Sequence, residues 1–95
     1  MTTLNVSLDE FEAKVLLKQK GESLALFTLE DDSRMVNYMM AELNEVSVAF
    51  REGREYKVDS TDCLYIRIAY EERGNEEKMV EWEAYYKALT ITRKS

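Results

Sequence analysis

Three glycines and no proline leave this chain few places to turn sharply. Gly21, Gly53 and Gly74 each stand between stretches of periodic apolar residues, where a residue that tolerates positive φ is needed. No internal repeat, low-complexity tract or Pro/Ser-rich linker separates these stretches, so residues 1–95 read as one continuous small domain. A chain of this size buries only about 60–65% of its unfolded surface, so its core must be modest.

Two templates compete over residues 7–20. As a helix the segment has Ser7 as N-cap, Glu10 to complete a capping box, Val6 and Phe11 as a staple, and Gly21 beyond Lys18 and Lys20 as its close. As a strand it alternates Phe11, Ala13, Val15 and Leu17, and a turn at Lys20-Gly21 would set Leu17 beside Leu24 and Val15 beside Leu26. The end signals favour a helix at the start and leave the tail open to an extended form. Residues 23–29 are apolar on both faces, as in a covered strand. Asp31, Asp32 and Ser33 then offer caps for a helix over about 34–43, with Met35, Val36, Met39, Met40 and Leu43 at helical spacing and Asn44 to close it.

Beyond that helix the pattern alternates. Val46, Val48 and Phe50 can pair with Val58 and Tyr56 around Glu52-Gly53-Arg54, and Asp59-Ser60-Thr61-Asp62 is turn chemistry. Leu64, Ile66, Ile68 and Tyr70 make the clearest strand. Residues 76–89 fit a helix capped by Asn75 or a strand of Val80, Trp82, Ala84 and Tyr86. The strand places Ile66 beside Trp82, Ile68 beside Val80 and Arg67 beside Glu81, and it is preferred for that agreement. Thr90-Ile91-Thr92 reads as extended, with a frayed end at 93–95. The sum is an α+β fold: a mostly antiparallel sheet of about four to six strands with one or two helices packed on one face.

The chemistry on offer is narrow. There is no His for proton transfer near neutral pH, and Cys63, the only thiol, can form neither a disulfide within the chain nor a zinc cluster. Cys63 reads as a small buried residue. No metal site and no cofactor is expected: Asp59, Ser60 and Asp62 lack the glycine and later Glu of a calcium loop, and Glu30, Asp31 and Asp32 suit a helix start. Without an apolar run of about 18 residues or a signal-peptide pattern, no membrane association is expected and a reducing cytoplasm is the natural home.

Nineteen carboxylates against thirteen cations give a net charge of −6, which disfavours direct contact with nucleic acid. Residues 71–83 hold six Glu against Arg73 and Lys78. On a strand, Glu81 and Glu83 would share a face about 6.7 Å apart, a spacing within a factor of two of nucleic-acid charges. Glu71, Glu72, Glu76, Glu77, Glu81 and Glu83, with Tyr65 and Tyr85 as aromatic anchors, are therefore the candidate partner-binding set. The chain reads as a small acidic, non-enzymatic binding protein that docks on a basic site of a partner protein, as an inhibitor or nucleic-acid mimic of the phage or mobile-element type. The alternative is a self-assembling homodimer whose acidic face serves only solubility.

Overall fold

The structure, a computed structural model, describes residues 3–94, with side chains through residue 91. Its elements run β1 (Leu4–Val6), α1 (Glu10–Leu29), α2 (Ser33–Glu52), β2 (Tyr56–Val58), α3 (Ser60–Arg73) and α4 (Glu76–Lys94). The order β-α-α thus occurs twice. The elements form two units, one of β1, β2, α3 and α4 and the other of α1 and α2.

Helix ends explain why these segments are helical. A helix leaves its first backbone N–H groups without partners, and here acidic or amide side chains accept them. At α1 the Glu12 N–H donates to Asp9 Oδ1 at 2.8 Å while the Asp9 N–H donates to Glu12 Oε1 at 3.0 Å, a reciprocal capping box. Asp59 and Asp62 repeat that exchange at α3, at 2.9 and 3.1 Å. Asp32 Oδ1 accepts from the Met35 N–H at α2, and Asn75 Oδ1 from the Lys78 N–H at α4. Helices close in residues with left-handed backbone: Asp31 (φ 60°), Gly53 (φ 69°) and Gly74 (φ 79°). At each, its own N–H and that of the next residue turn back, such as Gly74 to the Glu71 carbonyl and Asn75 to that of Tyr70.

These caps overturn the expected sheet. Four helices and one two-stranded ladder replace the α+β fold of four to six strands. Residues 23–29 continue α1, 46–50 continue α2 past Asn44, and 64–70, 76–89 and 90–92 are all helical. The helical template for 7–20 holds, with its cap two residues later, at Asp9 rather than Ser7. Asp59–Asp62, expected as a turn, begins α3. Arg93 and Lys94 extend α4, and Ser95 lies outside the described residues. The alternation in 64–70 misleads because Ile66 and Tyr70 also stand four apart; with Cys63 they form the 3-4 spacing of a buried helical stripe, while Ile68 faces outward.

Residues 56–58 are extended as expected, but their partner is different. β2 pairs antiparallel with β1, matching Leu4 with Val58 and Val6 with Tyr56. Tyr56 and Val58 are buried and Lys57 is exposed, the alternation of a ladder with one covered face. In the same unit α3 packs on α4. Cys63, Ile66 and Tyr70 on α3 and Trp82 and Leu89 on α4 are buried, and the Trp82 and Tyr85 rings meet edge to face at 5.1 Å.

In the other unit α1 packs on α2. Glu12, Ala13, Leu16 and Lys20 are the buried positions of one helix, Met39, Val46 and Ala49 those of the other. Lys20, only 4% exposed, places Nζ 3.2 Å from Glu42 Oε1. Glu42 shares the 4-3 spacing of Met39, Val46 and Ala49, so this ion pair belongs to the seam between the helices and ties their register.

Two substitutions test this account. Asp59→Ala removes one half of a capping box and should lower stability by about 1 kcal/mol in denaturant unfolding. Gly21 lies inside α1, and a Cβ built there meets nothing within 4 Å. Gly21→Ala should therefore raise stability by about 0.5–1 kcal/mol in the same measurement, since no close approach requires the glycine.

Candidate functional site

The acidic residues of 71–83 do not form a row. In a helix, positions two apart lie about 200° around the axis, so Glu81 and Glu83 point to different sides of α4. Both are engaged within their own hairpin. Glu81 holds Lys78 at 3.1 Å and accepts the Tyr85 hydroxyl at 3.1 Å; Glu83 meets Arg67 at 3.4 Å and Lys87 at 3.9 Å. Tyr85 is half-buried against Trp82 and serves the packing of α4. The structure thus separates Glu81, Glu83 and Tyr85 from the expected docking set.

The remaining four carboxylates stand at one end of the hairpin. Gly74 turns the chain in left-handed backbone, and Asn75 starts α4 at the next residue, which puts the last turn of α3 beside the first turn of α4. Glu71, Glu72, Glu76 and Glu77 are all exposed at this end of the hairpin. An open concavity of about 390 Å³ lies there, lined by Glu71, Gly74, Glu76 and Met79. Its walls carry carboxylates, and Met79 supplies a polarizable apolar surface. One side chain, Glu71, has an internal partner in Arg67 at 3.2 Å.

The electrostatics of the two sides differ. Glu76 and Glu77 sit in the first turn of α4, where the helix dipole favours anions. Glu71 and Glu72 sit in the last turn of α3, where the dipole disfavours them by about 0.3–1 kcal/mol each, with Arg73 as the basic residue of that turn. Helix stability accounts for the first pair; in the second, the ion pair with Arg67 offsets the dipole at Glu71 and leaves it opposing Glu72. Tyr65, 42% exposed, stands seven residues before Glu72 and so on the same face of α3, with exposed Ile68 between them. Of the two expected aromatic anchors Tyr65 is the exposed one, and Ile68 adds an apolar neighbour to it. The sequence marks the Glu residues by charge, but Met79 and Gly74 become part of the site only once 76–79 is helical.

Other candidate chemistry resolves into structure. Asp59 and Asp62 cap α3, and among the described residues no group of three or more ligating side chains could hold a metal ion. No helix among the described residues is long and apolar enough to cross a membrane. Cys63 is buried in α3; its burial, and then the charges of Asp62 and Asp59, push the thiol from 9.0 up to about 12. No family model, curated protein or solved structure matches the chain.

The thiol shift has a definite sign. The folded chain holds this proton more tightly than the unfolded one, so its contribution to stability is whole below about pH 9 and is lost as pH rises through the window from 9.0 to about 12. Alkylation of Cys63 near neutral pH should be slow in the native state and fast in denaturant. Cys63→Ser should flatten the decline in unfolding midpoint across that alkaline window. A wild-type decline that is unchanged in the variant would assign it to other groups.

Proposed function

We propose that the protein is a small non-enzymatic binding module that docks on a basic surface of a partner protein through the end of its α3–α4 hairpin. The observation that carries this reading is the position of Glu72: an exposed anion held where the helix dipole opposes it, beside Glu71 and next to two more on α4. Charge kept at a cost to local stability has its use in recognition. The concavity among Glu71, Glu76 and Met79 suits a Lys or Arg side chain, with the aliphatic stem against the thioether and the cationic head between carboxylates. Tyr65 and Ile68 extend this surface along α3 as apolar contacts beside Glu72.

Loss of the strand also removes the regular row that suggested nucleic-acid mimicry. What supports docking is a compact acidic end, which fits a local basic patch better than an extended phosphate-binding cleft. Affinity capture from the native host lysate tests the proposal, with the wild-type chain compared with Glu72→Lys/Glu76→Lys/Glu77→Lys. A captured partner should bind at least tenfold more weakly to the triple variant, about 1.4 kcal/mol, and its retention should fall steeply with salt. Equal retention at low and high ionic strength, or by both chains with matched helical circular dichroism, would sink the reading. The competing self-association reading predicts a dimer in sedimentation; a monomer at high concentration removes it.

A further inference from the structure

We propose that the end of the α1–α2 hairpin is a second docking surface, one that takes a cationic helix with an apolar face. It lies in the other unit and does not rest on the function proposed above. The last two turns of α1, Ser23 to Leu29, are apolar almost all round. A helix of that composition is covered on more than one side. In this structure Leu24 and Phe27 are half-buried, while Leu26 is 55% and Leu29 86% exposed, with Ala25 exposed beside them.

Single exposed leucines are ordinary. Here two share one ridge. Glu22, Leu26 and Leu29 follow the i, i+4, i+7 spacing that puts them on a common face of α1. The exposed charge around this ridge is acidic: Glu22 precedes it, and Glu30, Asp31 and Asp32 follow directly, against Lys18 and Arg34 at the margins, a balance of −2, while Lys20 is buried on Glu42. Charge complementarity therefore selects a cationic occupant. A second copy of this chain would bring the same carboxylates together, and an anionic lipid surface would be repelled for the same reason. A ridge of side chains at helical spacing fits the groove of another helix, so the occupant is an amphipathic helix with Lys or Arg flanking its apolar stripe.

The test is a titration of the full isotope-labelled chain, followed by amide resonances, with three synthetic peptides. One has Leu on one helical face and Lys on the other, one replaces its Lys with Glu, and one replaces its Leu with Ser. The Leu/Lys peptide should shift amides within 22–34, and its affinity should fall at least tenfold for Leu26→Ser/Leu29→Ser and measurably for Leu29→Ser alone. Both other peptides should bind at least tenfold more weakly to the wild-type chain. Glu76→Lys/Glu77→Lys should leave the Leu/Lys affinity unchanged, which separates this surface from the α3–α4 end. The proposal is overturned if the Ser/Lys peptide binds equally well, if shifts fall only within 71–79, or if the Leu variants bind like wild type. It is overturned too by sedimentation that finds a dimer abolished by Leu29→Ser, since a second copy would then be the occupant.

Discussion

The fold depends on how the chain satisfies its backbone hydrogen bonds at helix ends. In both helical hairpins a left-handed residue closes one helix and the very next residue caps the following one: Asp31 then Asp32, Gly74 then Asn75. Orphan carbonyls of the first helix and orphan N–H groups of the second are thus met within a few residues. Turns this short bring α1 onto α2 and α3 onto α4, and the packed faces follow from that. After Gly53 the chain instead runs through β2 before Asp59 starts the next helix, so the second β-α-α segment opens with the same reciprocal cap as the first.

Once the caps and pairs are identified, the net charge of −6 has a structure. Asp9, Glu12, Asp32, Asp59 and Asp62 accept backbone N–H groups. Glu42 answers the buried Lys20, and Glu81 and Glu83 answer cations of their own hairpin. Glu10 pairs with Lys14, Glu45 and Glu52 with Arg54, and Glu71 with Arg67. Of the other exposed carboxylates, Glu72, Glu76 and Glu77 stand at one hairpin end, Glu22, Glu30 and Asp31 near the other, and Glu55 just before β2. Acidity that serves helix starts is a property of the fold, and acidity at the ends is available to partners.

Part of this was legible in the residues. The helix beginning after Asp32, Gly53 and Gly74 as turns, and the burial of Cys63 follow from local chemistry, whereas the cap at Asn75 belonged to the helical template that the strand reading of 76–89 displaced. The reading of 64–70 and 76–89 as strands failed in an instructive way. It paired the two segments antiparallel with Arg67 beside Glu81, and α3 and α4 do meet antiparallel, with Arg67 reaching Glu83. A tight turn at Gly74 makes neighbours of the flanking segments whether they are helices or strands, so the neighbourhood was readable and the element was not. Gly21 shows the reverse error: a glycine marks a turn only when the surrounding residues also end a helix, and Lys20 and Glu22 do not.

By itself the sequence determined the helix start after Asp32 and the turns at Gly53 and Gly74, because capping and left-handed backbone are settled among residues at most five apart. It also determined that charge would concentrate in 71–83. Only the tertiary structure decided between helix and strand for the alternating segments, since positions four apart satisfy both periods and burial of Cys63, Ile66 and Tyr70 on one stripe breaks the tie. It alone paired Leu4 with Val58, a ladder whose halves are separated by an entire helical hairpin. And it alone assigned Glu71 and Glu83 to Arg67 and Glu81 to Lys78, with Glu72, Glu76 and Glu77 exposed at the hairpin's end, because ion pairing depends on which side chains the helices bring within reach.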